Sequence, residues 1–573
     1  MDKELIQEVN SHYLMDYTAN IAKEVRASGS REELESFCYI EERLRSFGLV
    51  TSLTFSDGYI SLPLDSSLSI AGVDYPCITA SMAAATGEEG VDAELLYVGD
   101  LASFADLATQ AKGKAVVFHG FAGRVQVQKA TEAGAVACVF INGERLHNMI
   151  VSPVWGNPTP ETFPMIPKIS IVSVNKYDGA EVVKESKKSS VAHIVTRIDA
   201  GWRKIPTLIA EIKGQIEPEK FILFSSHVDS WHLGAMDNGS ANATMMEVGR
   251  ILADKSLRRS LRLAFWSGHS HGRYAGSANY LDHNYRDFYD NCLLHINIDS
   301  VGAIGATVVT EGNIMPLTKA LAAHVIKEQT GQEFYGKPFS RGGDQSFWGA
   351  GVPSAFMSFS GQPFKFAADD LDTQYMVKQF KNGPQSSGFG WWWHSNEDTI
   401  DKIDEANLQR DARVFLSIVV QSCNAPLMPL NLDAGIGEIR EHLNAYKEIG
   451  GEHISLVAVD EELQYLADAV VEIERLRDEE VDDELLKKLN EASHTVTRVI
   501  VRLMQVGASE FDSDLAMEMP GFPLLAAINQ LAEVQNDEHQ YLMLLTQIQR
   551  RINQVAFILN EGAKAARNIL KSC

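Results

Sequence analysis

The sequence has few cysteines, and no two of them stand at the spacing of a metal-binding or redox motif. Its six cysteines are Cys38, Cys77, Cys138, Cys292, Cys423 and Cys573. Such scatter in a chain of 573 residues excludes a disulfide framework and a zinc knuckle. It is typical of free thiols in a reducing compartment, so we expect a cytoplasmic protein.

Long apolar runs and a basic leader are also missing. No run approaches the roughly 20 apolar residues that a membrane-spanning helix needs. The first residues, Met1-Asp2-Lys3-Glu4-Leu5, do not form a basic region followed by an apolar core. We therefore predict neither a signal peptide nor a membrane partner.

The sequence has fewer basic than acidic residues. There are 51 Lys and Arg residues against 76 Asp and Glu residues, which gives a formal net charge of −25. Because an acidic surface repels phosphate backbones, we predict no nucleic-acid partner. The composition is otherwise that of a globular protein, with 45% hydrophobic and 22% charged residues.

Changes in residue composition and in the spacing of apolar residues divide the chain into four segments. Residues 1–65 show helical spacing and are predicted to be an N-terminal helical part of the catalytic unit, with a second helix over 33–47. Residues 66–205 alternate short β-branched runs with Gly, Asp and Pro, which predicts an inserted β-rich domain. Within it we expect strands at 115–118 and 135–141 around a helix at 125–133.

The third segment, residues 206–425, alternates strands and helices. Near-continuous apolar strands are predicted at 221–224, 261–266 and 293–298, and helices at 241–253 and 315–329. Apolar strands of this kind belong to a sheet that is covered on both faces. The predicted fold class is therefore α/β, with a mostly parallel sheet and helices on both faces.

The last segment, residues 426–573, is helical. Apolar residues recur at spacings of three and four in two stripes, 485–503 and 541–559. Long amphipathic helices must bury such stripes against a partner. An intramolecular bundle and a dimerisation module both satisfy this need and are compatible. We predict a helical domain that mediates a homodimer.

Polar residues follow three of the predicted strands where each one ends. His227 and Asp229 follow the first strand, His269 and His271 the second, and Asp299 the third. Ligands of open parallel sheets bind outside the carboxyl ends of the strands, so these side chains are expected at one edge. Imidazole and carboxylate groups there predict a zinc-like hydrolytic site for one or two divalent ions per chain.

The ordered motifs resemble those of the M28 (aminopeptidase Y-like) metallopeptidases. The run His227-Val-Asp-Ser-Trp-His-Leu-Gly-Ala-Met-Asp237 resembles the first metal motif, Asn297-Ile-Asp299 the next ligand, Gly343-Asp344 the pocket segment, and His394-Ser-Asn-Glu-Asp398 the closing motif. Residues 115–172 resemble a protease-associated (PA) insert. The layout is similar to that of the transferrin receptor and glutamate carboxypeptidase branch.

The resemblance implies roles for individual residues. Asp237 would bridge two metal ions, His227 and Asp299 would complete the first site, and His394 the second. Asp229 would support His227. Members of the family use paired zinc or a related divalent ion and cleave peptide or amide bonds near a chain end.

The chain departs from the family at its pair of adjacent glutamates, a general base and a ligand of the second metal. Here those positions hold His269 and Ser270, with His271 next. His269 can act as the base, since an ordinary imidazole pKa of about 6.5 suits neutral pH. His269 or His271 can instead bind metal, which would suit zinc, iron, copper or nickel. A single-metal or metal-free site is the third possibility.

Four further residues are candidates for substrate binding. Arg273 and Arg341 can hold a substrate carboxylate through bidentate hydrogen bonds. Trp393 can form an aromatic wall. Asp344 is included because the resemblance places it in the pocket segment.

These features predict a metal-dependent hydrolase that cleaves an amide or peptide bond of a small substrate. A metal-bound hydroxide is expected to attack the carbonyl, while His269 passes its proton to the leaving amine. Two alternatives stay open. One is a non-peptidase metalloenzyme, such as a lyase or an enzyme cleaving an unusual C–N or C–S bond. The other is a catalytically inactive binding scaffold.

Overall fold

The computed structural model describes residues 2–99, 107, 109–339, 341–356, 358–363, 370–380, 385–477 and 482–571. Cys573 lies outside the described residues. None of the helices in these ranges is long and apolar enough to cross a membrane.

One mixed sheet organises the described part of the chain up to residue 355. Its strands are β1 (Val50–Ile70), β2 (Val73–Tyr75), β3 (Ile78–Thr79), β4 (Val91–Gly99), β5 (Ala115–His119), β6 (Ala137–Ile141), β7 (Ser170–Val174), β8 (Val191–Ile212), β9 (Glu217–His227), β10 (Arg259–Trp266), β11 (Cys292–Asn297) and β12 (Ser354–Ala355). Their order across the sheet is β12-β11-β9-β10-β8-β4-β5-β6-β7-β3, and β1 pairs with β8 and β2.

Helices cover this sheet and form the C-terminal part of the chain. The α-helices are α1 (Asp2–Gln7), α2 (Ser11–Ile21), α3 (Arg31–Ser46), α4 (Arg124–Glu132), α5 (Lys176–Ser186), α6 (Ala241–Leu252), α7 (Ala275–Asn291), α8 (Pro316–Thr330), α9 (Leu371–Phe380), α10 (Glu405–Asn424), α11 (Leu432–Gly450), α12 (Val457–Arg477), α13 (Asp483–Gln505), α14 (Leu531–Val534) and α15 (Glu538–Lys571).

The half of the sheet formed by β9 to β12 is parallel and buried on both faces. Strand β9 pairs in parallel with β10 and β11, and β11 pairs in parallel with β12. Successive side chains of β9 point to opposite faces. The Phe224 ring stacks on Phe415 of α10, while the Phe221 ring meets Phe288 of α7 edge-on. The predicted α/β class, with helices on both faces, is confirmed.

Two long strands join the parallel half of the sheet to the insert. Strands β1 and β8 pair antiparallel from Val50 to Ile70. They cross the predicted segment boundaries at 65/66 and 205/206. The helical prediction for residues 1–65 holds only as far as Ser46. Beyond it the side chains are rich in β-branched and aromatic types, which favours a strand and outweighs the earlier helical period.

The insert has a small core of its own. Strands β4 to β7 are parallel neighbours, and α4 connects β5 to β6. The strand–helix–strand unit predicted for residues 115–141 is therefore present. Val117, Val139 and Val172 are fully buried in this core.

The C-terminal helices bury their stripes against one another. Leu489 and Val496 of α13 share a buried core with Ile548 and Val555 of α15. Trp348, which precedes β12, belongs to the same core, so the helical domain packs onto the unit that contains the sheet. The stripes that motivated a homodimer thus find partners within the chain, and the homodimer stays a prediction.

Candidate functional site

The site lies at the carboxyl ends of the three parallel strands. His227 is the last residue of β9, His269 follows β10, and Asp299 follows β11. One ligand atom from each of these residues lies within 4.8 Å of the others. The topology thus places the three side chains at one edge of the sheet, as the strand pattern predicts.

Asp237 lies between two histidines. Its Oδ1 is 3.2 Å from His227 Nε2, and its Oδ2 is 3.1 Å from His394 Nε2. Asp299 Oδ2 is 3.6 Å from the same nitrogen of His227. A carboxylate between two imidazoles has the arrangement of a bridge between two cations. The four residues expected to bind metal are therefore neighbours.

The hydrogen bonds of the two histidines show which ring nitrogen faces the carboxylates. His227 Nδ1 donates to the carbonyl oxygen of Asp229 at 2.9 Å, and His394 Nδ1 donates to that of Asn148 at 2.6 Å. A carbonyl oxygen only accepts, so a neutral ring has its lone pair on Nε2. In both rings this lone pair points at carboxylate oxygens, which are also acceptors.

Either a proton on Nε2 or a bound metal ion resolves this conflict. His227 Nε2 is buried and has no hydrogen-bond partner among the described residues. Burial opposes a charge on His227, but the carboxylates of Asp237 and Asp299 outweigh it and raise the pKa of His227 well above its ordinary value. Nitrogen and oxygen ligands of this kind suit zinc. The residues present therefore fit a divalent metal ion.

Asp344 fixes the orientation of the His269 ring. Its Nδ1 lies 2.8 Å from Asp344 Oδ2, and Ser277 Oγ donates to the other carboxylate oxygen at 2.7 Å. Burial opposes the charge of Asp344, but His269 outweighs it and lowers the pKa of Asp344. The His269 ring stacks on His227, with ring centres 3.7 Å apart. With Nδ1 bonded to Asp344, Nε2 is the ring nitrogen that remains for chemistry.

Asp229 positions the loop that carries His269. Its carboxylate accepts the backbone N–H of His269 at 3.2 Å and of Ser270 at 2.8 Å, and the hydroxyl of Ser28 at 2.6 Å. Its link to His227 runs through its main-chain carbonyl oxygen. Asp229 therefore supports two histidines, one through the backbone and one through the side chain.

The structure does not bring His271 into this group. Its Nδ1 lies 2.9 Å from Ser28 Oγ, and its ring packs against Trp231 at 4.4 Å. Burial lowers the pKa of His271 to about 4. The ring lies behind Asp229 as a neutral packing residue, so its predicted role as a metal ligand has no support in this geometry.

The loops around Asp237 are fixed by two residues for which the sequence motifs predict no role. Asp398 accepts the backbone N–H groups of Met236 and Asp237, each at 2.9 Å. Arg26 is fully buried and donates to the carbonyl oxygens of Val228 and Gly234. Arg26 is about 200 residues away in sequence, and no local pattern indicates such a contact.

Replacing Asp398 by Ala is expected to weaken zinc binding about 10–100-fold, because groups that orient a metal ligand typically have effects of this size. The change leaves two buried N–H groups beside Asp237 without an acceptor. Competition titration with a chelating dye measures the affinity. Asp401→Ala, on an exposed side chain three residues further on, is the control, and equal affinities in both variants would contradict this role.

A cavity of about 830 Å³ opens in front of the site. Its lining comes from three parts of the chain: the insert, the catalytic unit and the C-terminal helices. Met149 and Arg124 belong to the first, Asp237 and Trp393 to the second, and Glu438 to the third. A cavity of this size and mixed lining is typical of a small-molecule site.

The predicted substrate-binding residues have different positions around this cavity. Trp393 lines it. Arg273 lines it too, but its guanidinium donates to the carbonyl oxygens of Ser152 and Ile150. Arg341 lines it and forms an ion pair with Asp514 at 3.1 Å. Asp344 instead contacts His269.

Glu438 is expected to make stability depend on pH. Burial and the charge of Glu441 raise the pKa of Glu438 to about 7. The charged form is therefore disfavoured in the folded protein, and the cost grows as pH rises from the ordinary range to above 7. Glu438→Gln should raise the free energy of unfolding by about 1–3 kcal/mol at pH 8 and change little at pH 4.

Thermal unfolding at the two pH values measures this difference. Glu448→Gln removes an exposed carboxylate from the same helix and is the matched control. A Glu438→Gln variant with the same gain at both pH values would contradict the assignment.

Part of the chain is similar to known proteins. Residues 207–419 match the profile of Peptidase family M28. Aminopeptidase YwaD of Bacillus subtilis (strain 168) is 24% identical over 423 residues, which cover 70% of this chain and 82% of that protein. Carboxypeptidase Q of Xenopus laevis is 29% identical over 274 residues, covering 45% of this chain and 52% of that protein.

Solved structures show the same fold. BSAP, a zinc aminopeptidase from Bacillus subtilis, aligns with a TM-score of 0.55 at 22% identity, covering 72% of this chain and 95% of that one.

The chain spans about half the length of the carboxypeptidase Q relatives that it matches. The resemblance to M28 peptidases that the motifs indicated is confirmed for residues 207–419.

Proposed function

We propose that this chain, with its M28 peptidase segment at residues 207–419, is a metal-dependent hydrolase of peptide or amide bonds in small substrates. The observation that carries the proposal is the pair of buried histidines whose Nε2 atoms face Asp237 and Asp299. Two buried acceptors that face each other need a proton or a metal ion between them, and imidazoles grouped with carboxylates in this way suit a divalent ion. The relatives named as peptidases supply the reaction class.

The ligand groups suggest how metal is held. His227, Asp237 and Asp299 would hold one ion, and Asp237 with His394 a second. Zinc bound there supplies Lewis-acid activation of a carbonyl group and of water. The shared carboxylate of Asp237 keeps the two positions adjacent.

His269 takes the place of the missing glutamate base in this proposal. Asp344 accepts the Nδ1 proton and holds the ring in one tautomer, as a carboxylate does for a catalytic histidine. Nε2 is then the atom that takes a proton from water and passes it to the leaving amine. The same arrangement would suit Nε2 as a metal ligand, and the kinetics of His269 variants separate the two roles.

The surroundings of the site support three finer proposals. The insert of residues 66–205 is proposed to be a PA-like domain, since its parallel strands and helix follow the resemblance noted above. A cytoplasmic location is proposed from the widely spaced cysteines. A homodimer through the C-terminal helices is proposed from their exposed residues Val471 and Phe557, each more than 60% exposed.

His269 stands where M28 peptidases have a glutamate base, and this difference favours a second candidate function. In that candidate the chain is a metalloenzyme that cleaves a bond other than a peptide bond. A binding scaffold without catalysis is less well supported, because the buried histidine and carboxylate groups remain together. The peptide-digestion assay described next distinguishes both alternatives from the proposed peptidase.

The test is a peptide-digestion assay with the zinc-reconstituted protein. A mixture of dipeptides, N-acetyl dipeptides and short peptides is followed by mass spectrometry, with and without a chelator. We expect cleavage near a chain end that stops on chelation and is absent in His227→Ala. Metal binding without cleavage of any peptide would point to the non-peptidase alternative and reject the proposal.

A further inference from the structure

The second metal position is built from two parts of the chain that lie far apart in sequence. Its histidine, His394, lies in the loop of residues 391–397, and residues 143–148 of the insert, here called the insert loop, contact that loop. We propose that the insert loop positions His394, with His147 as the positioning residue, so that tight binding of the second metal ion depends on the insert. This inference rests on the proposed function, because it takes His394 to be a metal ligand.

Asn148 and His394 are hydrogen-bonded in both directions. His394 Nδ1 donates to the carbonyl oxygen of Asn148 at 2.6 Å, and the backbone N–H of Asn148 donates to the carbonyl oxygen of His394 at 3.0 Å. The side chain of Asn148 is held as well, since its Oδ1 lies 2.8 Å from His232 Nε2. The bond from Nδ1 turns the other ring nitrogen of His394 toward Asp237. The insert loop therefore sets the direction of the nitrogen that would bind metal.

His147 holds the residue that precedes His394. Its Nδ1 donates to the carbonyl oxygen of Trp393 at 2.6 Å, and the Trp393 ring stacks on the His394 ring with centres 3.4 Å apart. His147 is buried, and its ring packs against Phe121 of the insert at 4.4 Å. The backbone of His394 has a φ of 59°, a left-handed conformation that costs free energy in a residue other than glycine. Contacts on both sides of His394 offset this cost.

A carboxylate outside the insert fixes the insert loop in turn. Asp372 of α9 is buried, and its Oδ2 accepts the backbone N–H groups of Glu144 and Arg145 at 3.0 and 3.2 Å. Its Oδ1 lies 3.5 Å from His147 Nε2. Burial opposes the charge of Asp372, but His147 and the two N–H groups outweigh it and lower the pKa of Asp372. Position 143 is glycine because a Cβ atom there would clash with this carboxylate.

Arg145 joins the two loops on either side of His394. Its guanidinium lies 3.6 Å from the centre of the Trp391 ring, and its Nε lies 3.4 Å from Glu397 Oε1. Trp391 and Glu397 stand three residues before and three residues after His394. The insert loop therefore contacts the loop of His394 at both of its ends as well as in its middle.

The first metal position lacks such contacts. Within the part of the chain that the structure describes, the hydrogen bonds and ion pairs of His227 and Asp299 involve no residue of the insert. His227 Nδ1 is held by the carbonyl oxygen of Asp229, just beyond β9. The two positions should therefore respond differently when the insert loop is loosened, and only the second should lose affinity.

Stepwise zinc titration of the metal-free, full-length protein against a chelating dye tests the inference without requiring turnover. We expect two binding steps in the wild type. In His147→Ala one step should weaken about 10–100-fold, as expected when a group that orients a metal ligand is lost, while the other step keeps its affinity. His147→Asn, whose side-chain amide can replace the Nδ1–H donor, should recover part of the loss.

Two further variants make the result specific to the insert loop. His193→Ala removes a histidine of the insert whose side chain is 42% exposed, and it should keep both steps. Arg145→Ala changes a partly exposed side chain of the insert loop. It should weaken the same step as His147→Ala, and it decides the question if His147→Ala does not fold.

Two unchanged steps in the insert-loop variants, equal weakening of both steps, or a single step in the wild type would overturn the inference. The proposed function fails separately, when no peptide is cleaved. Selective weakening of one step in a protein that cleaves nothing would support the positioning role of the insert and reject the peptidase.

Discussion

Replacing Asp237 by Ala is expected to lower kcat/KM for any substrate by at least about 1,000-fold, because both metal positions lose the carboxylate that joins them. Its oxygens are 3.2 Å from His227 and 3.1 Å from His394. Burial disfavours its charge, but the two histidines outweigh this effect and hold the pKa of Asp237 well below its ordinary value. The carboxylate is therefore charged at every working pH. Steady-state kinetics of the zinc-loaded variant measure the loss.

Asp254→Ala is the matched control for this change. Asp254 is exposed, follows α6 and pairs with its neighbour Lys255. Its removal should leave kcat/KM within about twofold, as surface substitutions usually have small effects. Comparable activity in Asp237→Ala and the wild type would contradict the bridging role.

Replacing His269 by Ala is expected to lower kcat by about 100–10,000-fold, which is the usual contribution of a general base. If the ring acts only as a base, the zinc content of the variant stays that of the wild type. Steady-state kinetics, taken beside elemental analysis, measure kcat and the zinc content.

Two further variants define the role of the ring. Asp344→Asn removes the charge behind Nδ1 while keeping the shape, and it should cost about 10–100-fold, as the loss of a group that orients a histidine does. His283→Ala, on the exposed side of α7, should have no effect. Loss of one zinc ion in His269→Ala would show that the ring is a ligand and would reject the base assignment.

The arrangement of the site was predictable wherever it followed from the strands. Apolar strands that end in His227, near His269 and near Asp299 had to meet at one edge, because parallel neighbours share the direction of their carboxyl ends. The pattern of buried strands also predicted helices on both faces. These features depend on local periodicity, which a single sequence shows directly.

Contacts between distant segments were not predictable in this way. Asp344 contacts His269 across 75 residues, and Arg26 contacts Val228 across 202. No pattern in either segment specifies its partner. Arg273 shows the same limit, because its guanidinium donates to carbonyl oxygens of the insert.

The most direct test of the whole account is the metal content of the purified chain after reconstitution with zinc, measured by elemental mass spectrometry beside Asp237→Ala. The facing lone pairs and carboxylates of His227, Asp237 and His394 predict at least one zinc ion per wild-type chain and none that survives dialysis in the variant. A wild-type chain that keeps no metal after reconstitution would contradict the hydrolase proposed above.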